Sequence, residues 1–172
     1  MSIIMELFKR RQERSKNLTD HDFWEIIDCI DHEYSGDSEA VISSLIRHLK
    51  NCEDEYIFAF DDKLSELVYA LDGRKWAEEL FGKGEFSEEK FLSARYAAVS
   101  SGMEKYSRIL GHREKLSDEG IYDHDGKWES STDGLITAAA AAWSKKHLES
   151  IKKYPHKTKF CTKSHSNKEM WE

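Results

Sequence analysis

Proline is almost missing from this chain, and that scarcity restricts the secondary structure more than any other feature. Of 172 residues, only Pro155 is a proline. Because proline interrupts helix interiors and is concentrated in loops and at sheet edges, a chain with none before residue 155 favours long helices. The hydrophobic content of 39% is also too high for a disordered chain. The sequence therefore predicts a folded, mostly helical protein.

Apolar residues recur at helical spacing through most of the chain. Thr19 followed by Asp22 predicts a capping box at the start of the first helix, because each residue can bond the backbone N–H of the other. The apolar stripe continues past Ile30, so we expect this helix to end at Gly36. Asp37 is expected to cap the second helix.

Further helices follow along the chain. The third is predicted over residues 53–71, with Gly73 as the C′ residue after its last turn. Shorter helices are expected between residues 76 and 110, with a break near Gly102. The run Ala138 to Ala142 predicts a last long helix so slim that neighbouring helices can approach it closely.

The remaining segments predict the domain organisation. Asp125-Gly126 lies between two short apolar stretches, which is typical of a β-turn joining two strands. The end of the chain is basic and polar and has no periodicity. We therefore expect an all-α fold, a single compact domain of about six to seven helices with one small β-hairpin. The hairpin is predicted near residues 121–128, the domain spans residues 19–153, and it lies between a basic N-terminal segment, 1–18, and a basic C-terminal tail, 154–172.

The charge is distributed unevenly. Between Thr19 and Asp133 there are 28 acidic and 13 basic residues, a net charge of −15, whereas residues 1–18 carry +3 and residues 134–172 carry +5. A strongly anionic body repels phosphate backbones and attracts cationic partners. This pattern disfavours nucleic-acid binding and favours a basic protein as the partner.

No motif in the chain supplies a recognisable chemistry. The eight histidines include no pair at i,i+4 spacing, and there is no CxxC or HExxH motif, so we expect no metal and no cofactor. There is no Gly-x-Ser-x-Gly motif or glycine-rich phosphate loop, so we expect no enzyme activity. Three cysteines without a close pair indicate a reduced, cytoplasmic protein, and no stretch approaches the roughly 18–20 apolar residues of a membrane helix.

Two kinds of charged residue have simpler explanations than a catalytic role. Paired carboxylates such as Asp61-Asp62 and Glu88-Glu89 are expected to lie on solvated helix faces. Arg95 lies among apolar residues in its helix, where we expect it to pair with a carboxylate rather than to bind a ligand.

One ordered set of residues resembles a known bacterial family. Phe23-Trp24 stands in an early helix, Trp76-Ala77 precedes a glycine-containing turn, and Ser87 with two acids and Phe91 begins a helix. Arg95 then lies inside that helix, and Gly102 is followed four residues later by Tyr106. This arrangement, over roughly residues 22–143, resembles the family described only as domain of unknown function 4240. The resemblance implies a helical fold and leaves the activity open.

Acidity without a catalytic motif favours a binding function. Nuclease toxins are basic because their substrates are polyanions, and the immunity proteins that block them are typically small, acidic and cytoplasmic. We therefore predict an immunity protein or antitoxin that covers a basic, nuclease-type toxin domain. The alternatives are a small hydrolase or transferase whose carboxylates converge in three dimensions, and a regulatory protein-interaction domain.

The predicted partner-binding residues are acids and aromatics in the segment around the hairpin, because loops carry function more often than packed helix faces do. Asp61 and Asp62 form a second candidate patch. The hypothesis requires that the acidic charge remain available to a partner, and internal ion pairs that consumed it would count against the hypothesis. The candidates near the hairpin are Asp118, Glu119, Tyr122, Asp123, Asp125, Trp128 and Glu129.

Overall fold

The structure, a computed structural model, describes residues 18–32, 38–116, 121–122, 128–129 and 133–172. In these ranges the protein is all-α apart from one pair of two-residue strands, as the proline-poor sequence predicts. The helices are α1 (Asp20–Ile27), α2 (Ser38–Lys50), α3 (Asp54–Ala70), α4 (Arg74–Phe81), α5 (Glu88–Ser100), α6 (Met103–Leu110), α7 (Ala138–His147) and α8 (Lys168–Trp171), and the strands are β1 (Ile121–Tyr122) and β2 (Trp128–Glu129).

Helix α1 begins as predicted and ends early. The Thr19 hydroxyl accepts the Asp22 N–H at 3.1 Å, and the Asp22 carboxylate accepts the Thr19 N–H at 3.1 Å, which completes the capping box. The expected continuation to Gly36 is wrong, because α1 ends at Ile27. The chain then leaves the helix, and the Asp31 N–H bonds the Val41 carbonyl oxygen instead of a carbonyl one turn earlier.

Helix α3 forms where the sequence predicts it. Phe60 and Leu64 of its apolar stripe are fully buried. Gly73 follows its end but is not a left-handed C′ residue, because its φ of −158° is extended. The reason for glycine there is space: a Cβ at this position would lie 2.8 Å from the Cβ of Met170 in α8.

The core lies where α2, α3, α5 and α7 meet. Gly102, with φ +92°, interrupts the helical conformation between α5 and α6 as predicted, and residues with L side chains rarely adopt that φ. Ala138, Ala139 and Ala142 of α7 are buried, and α7 packs on both α2 and α3, so the slim helix is approached closely as expected.

The predicted hairpin is present as an antiparallel strand pair. Ile121 lies opposite Glu129, and Tyr122 lies opposite Trp128. Within the described ranges, no helix is long and apolar enough to cross a membrane.

The chain after α7, residues 148–172, forms a segment that we call the strap. It contains a 3₁₀ turn, Ile151–Lys153, and ends with α8. The strap runs along α3 in the same direction, with Tyr154 at Asp61 and His165 at Asp72. Residues 154–172, which the sequence predicts as a tail, therefore pack on the helical body.

Candidate protein-binding groove

The predicted site residues near the hairpin are only partly described. Tyr122 lies in β1 and Trp128 and Glu129 lie in β2, so their backbone is placed. Their role in binding stays a prediction. Asp118, Glu119, Asp123 and Asp125 lie outside the described residues.

Asp61 and Asp62, the second predicted patch, are partly buried, Asp62 with only 15% of its side chain exposed, and both are bonded to the strap. The Tyr154 hydroxyl donates to Asp61 Oδ2 at 3.0 Å. Asp62 Oδ1 lies 2.9 Å from His156 Nε2 and accepts the Lys159 N–H at 3.0 Å. These carboxylates hold two parts of one chain together, and only a fraction of each is left to face a partner.

Burial governs the protonation of the Asp61–Tyr154 pair. Desolvation raises the pKa of Asp61 above the usual aspartate value, although the Tyr154 hydrogen bond and the nearby His156 oppose the increase. Desolvation and the Asp61 carboxylate also raise the pKa of the Tyr154 hydroxyl. At neutral pH the tyrosine hydroxyl therefore stays protonated and donates a hydrogen bond to the carboxylate.

A third aspartate on α3 binds the end of α7. Asp54 Oδ1 accepts a hydrogen bond from Lys146 Nζ at 2.7 Å, and His147 Nε2 lies 2.9 Å from both carboxylate oxygens. The Trp143 indole N–H donates to Asp54 Oδ2 at 3.3 Å. Desolvation alone would raise the pKa of Asp54, but Lys146 and His147 outweigh it, so the pKa is lowered and the carboxylate stays charged.

The end of the strap is fixed by a fully buried carboxylate, Asp72. Three successive backbone N–H groups converge on it, and the Trp171 indole N–H donates to Oδ1 at 2.8 Å. This arrangement is an anion-binding nest, in which a left-handed residue turns neighbouring N–H groups toward one point; His165, with φ +65°, is that residue. The backbone donors are His165, Ser166 and Asn167, at 3.1, 2.8 and 3.0 Å.

Arg95 is the cation beside this carboxylate, which confirms its predicted structural role. The guanidinium is fully buried, and its Nη1 lies 3.9 Å from Asp72 Oδ1. It donates to the carbonyl oxygens of Phe91, Val68 and Thr162. Burial lowers the pKa of Arg95 to about 10, which the Asp72 charge opposes, so the group remains cationic at neutral pH.

Four acids of the anionic segment are thus bound by α7, by the strap or by Arg95, three of them on α3. The expectation that carboxylate pairs lie on solvated faces is wrong for Asp61 and Asp62. Part of the −15 charge is consumed within the molecule, which limits what a partner can use.

An open groove of about 660 Å³ lies between the start of α1, the face of α3 and the strap. Its apolar lining includes Leu18, Phe58 and Phe160, and the Phe58 ring stacks on the His156 ring with centroids 4.8 Å apart. Four carboxylates and two lysines lie around it, which gives a net charge of −2 with His156 neutral. The acids are Asp20, Glu55, Asp62 and Glu66, and the lysines are Lys63 and Lys159.

The acids of the groove differ in availability. Lys63 Nζ lies 3.1 Å from both Asp20 Oδ1 and Glu66 Oε2, so these two carboxylates already form ion pairs with the Lys63 ammonium group. Glu55 is exposed, and no residue of the described chain bonds its carboxylate. Glu55 is therefore the carboxylate most open to an incoming cation.

The groove residues of α3 form one stripe that the sequence analysis did not single out. Glu55, Phe58, Asp62 and Glu66 follow the spacing i, i+3, i+7 and i+11, which places them on one helix face. The signal was present in the sequence as three acids and one phenylalanine on a helix face beside the apolar stripe. What the sequence lacked was the wall that the strap forms, because nothing in it places the strap along α3.

No group of three or more His, Cys, Asp or Glu side chains within the described ranges could hold a metal ion. A family model described as "Protein of unknown function (DUF4240)" matches residues 18–145. The match covers all of α1 to α6 and ends inside α7, so the strap lies outside it. No curated protein and no solved structure matches this chain.

Proposed function

This chain belongs to the DUF4240 family, and we propose that it is an immunity protein that binds and neutralises a basic toxin domain. The observation that carries the proposal is the groove: four carboxylates around an apolar lining, open to solvent. A cationic protein surface is attracted to such a site by its charge and held by apolar contact.

The internal ion pairs define which part of the acidic charge can serve this function. Asp54, Asp61 and Asp72 are occupied by residues of α7, the strap and α5, whereas Glu55 has no bonded partner in the described chain. The proposal therefore concentrates on the groove rather than on the acidic body as a whole. Such a protein would act in the cytoplasm, where it would cover the active site or the substrate-binding surface of the toxin.

Binding to a defined toxin domain tests the proposal. The proposal predicts that a large secreted protein is encoded next to the gene for this chain, and the probe is the C-terminal domain of that protein, purified as an inactive variant. We expect nanomolar affinity by calorimetry at about 50 mM salt and clearly weaker binding at about 300 mM, because exposed charge pairs are screened. Co-expression with the active toxin should restore growth.

The matched variants are Glu55→Lys, which reverses the open charge of the groove, and Glu85→Lys, which reverses an exposed charge before α5, outside the groove. Only the first should weaken binding and growth rescue. A toxin domain that neither binds nor is neutralised would refute the proposed function.

A further inference from the structure

The strap shows what kind of chain segment the acidic face of α3 accepts. Along Tyr154 to Asn167 it has no helix, and it meets α3 with backbone N–H groups and cationic or aromatic side chains. The Lys159 N–H and the His156 ring bond Asp62, and the His156 ring also stacks on Phe58. A carboxylate beside an aromatic ring on α3 is thus matched by a basic residue beside an aromatic ring on the strap.

The groove offers the same chemistry on the neighbouring part of that face. Phe58 and Asp62 belong to both surfaces, because they contact the strap and line the groove. The groove adds an apolar wall at Leu18 and the open carboxylate of Glu55. A volume of about 660 Å³ suits a few residues of an extended segment.

From this repetition we infer that the groove binds an extended basic–aromatic segment of a partner protein, with one aromatic side chain against the part of the Phe58 ring that His156 leaves exposed and a lysine or arginine on Glu55. This inference rests on the proposed function, since it names the part of the toxin that the groove holds. The net negative lining disfavours an acidic segment, and the apolar lining favours an aromatic side chain in addition to the charge. The strap provides the third wall, through Lys159 and Phe160.

A synthetic peptide tests the inference without any toxin. The probe is a fluorescein-labelled decapeptide that contains two Lys-Phe-Lys triplets separated by two serines, with one glycine at each end. Two control peptides carry serine in place of both phenylalanines, or glutamate in place of the lysines. Fluorescence anisotropy is measured with the full chain, with Glu55→Lys and with Glu85→Lys, after the denaturation midpoints of the three proteins have been compared.

We expect saturable binding to the full chain and to Glu85→Lys with the same affinity. Glu55→Lys should weaken binding of the first peptide by about tenfold or more. Each control peptide should bind the full chain no more tightly than the first peptide binds Glu55→Lys. Equal losses for both charge reversals, or a serine peptide that binds as well as the phenylalanine peptide, would overturn the inference. Absence of binding by the first peptide would overturn it as well.

Two other occupants give distinct results. A chain without residues 1–17 that binds the peptide much more tightly would show that the basic N-terminal segment occupies the groove. Self-association of the full chain that is lost in Glu55→Lys would show that a second copy does. Either result overturns the inference.

The two proposals can fail separately. If the peptide binds and the toxin domain does not, the chemistry of the groove stands and the immunity function fails. If the toxin domain binds equally well to Glu55→Lys, the immunity function stands and the groove is not its contact.

Discussion

The strap is held to the helical body by carboxylates at two places, and these two contacts differ in burial. At Asp72 the carboxylate and the Arg95 guanidinium are fully buried, and four N–H groups of the strap bond the carboxylate. At Asp62 the carboxylate is 15% exposed, its partner Lys159 is 75% exposed, and the open groove lies beside them. The same type of interaction thus acts once in the core and once at the surface.

The comparison shows how one chain can use acidic residues for two purposes. A buried charge must be fully bonded, because leaving it unpaired costs several kcal/mol, so the Asp72 site is fixed. A surface ion pair contributes about 0–1 kcal/mol, and a competing cation can replace it. We therefore expect the Asp72 end of the strap to determine stability, and the groove end to be available for binding.

The largest effect is expected for Asp72→Ala. The change removes the acceptor of four hydrogen bonds and leaves Arg95 buried without an anion, so it should lower the free energy of unfolding by about 3–5 kcal/mol. Urea denaturation followed by circular dichroism measures it, with Glu85→Ala as the exposed control. A loss under about 1 kcal/mol would contradict the assignment of Asp72 as the anchor of the strap.

A smaller effect is expected for Tyr154→Phe, which keeps the ring and removes only the hydroxyl that donates to Asp61. The hydrogen bond is partly buried, so its loss should cost about 1 kcal/mol. Tyr69→Phe is the matched control: its ring also contacts the strap, at Phe160, and its hydroxyl makes no hydrogen bond within the described ranges. Equal destabilisation by the two variants would show that the hydroxyl of Tyr154 contributes nothing specific.

The charge of Asp61 should be visible in the pH dependence of stability. Burial raises the pKa of this carboxyl in the folded state, so the folded protein binds the proton more tightly than the unfolded chain does. Its contribution to stability is therefore present at low pH and is lost as the pH rises from the unfolded pKa through the raised folded pKa. The Tyr154 hydrogen bond and His156 oppose the shift of the pKa. The pH-dependent change in the free energy of unfolding should therefore be smaller than the change caused by Tyr154→Phe.

The variant Asp61→Asn isolates this contribution. From about pH 3.5 to pH 6, the stability of the variant should increase relative to that of the unmodified chain, since the amide does not ionise. Urea denaturation at several pH values measures the difference. A relative decrease over this range would show that the pKa of Asp61 is lowered instead.

The smallest effect is expected for Lys159→Gln. Lys159 Nζ lies 3.5 Å from Asp62 Oδ2 in an exposed pair, while the backbone N–H of the same residue keeps its bond to Oδ1. The free energy of unfolding should change by less than about 0.5 kcal/mol. A change above about 1.5 kcal/mol would remove the distinction between the anchored end of the strap and the groove end.

Much of the helical body could be predicted from local patterns. The capping box at Thr19 and the apolar stripe of α3 predict helices that the structure contains, and Gly102 marks the break between α5 and α6. The end of α1 could not be predicted in this way, and after it the chain makes a bond to another segment, from the Asp31 N–H to the Val41 carbonyl oxygen. Local propensity cannot report a bond between segments whose relative position is not yet known.

Less of the groove than of the fold could be predicted from the sequence. Arg95 was expected to pair, since a charge in an apolar helix needs a partner, but nothing near it in the sequence identifies Asp72. Asp61 and Asp62 form an evident acidic pair in the sequence, but their contacts lie more than 90 residues away on the strap. Nothing local distinguishes Glu55 from the other acids of α3.

The sequence by itself determined that this chain is helical and acidic, and that it contains no recognisable catalytic motif, because periodicity, caps and composition are properties of neighbouring residues. Only the tertiary structure decided which acids are occupied and which are open. A carboxylate becomes a structural anchor or an accessible charge through its burial and its bonded partners. For Asp72, the burial and most of the bonded partners depend on where the last 25 residues of the chain lie, whereas Glu55 is left exposed and unbonded within the described ranges.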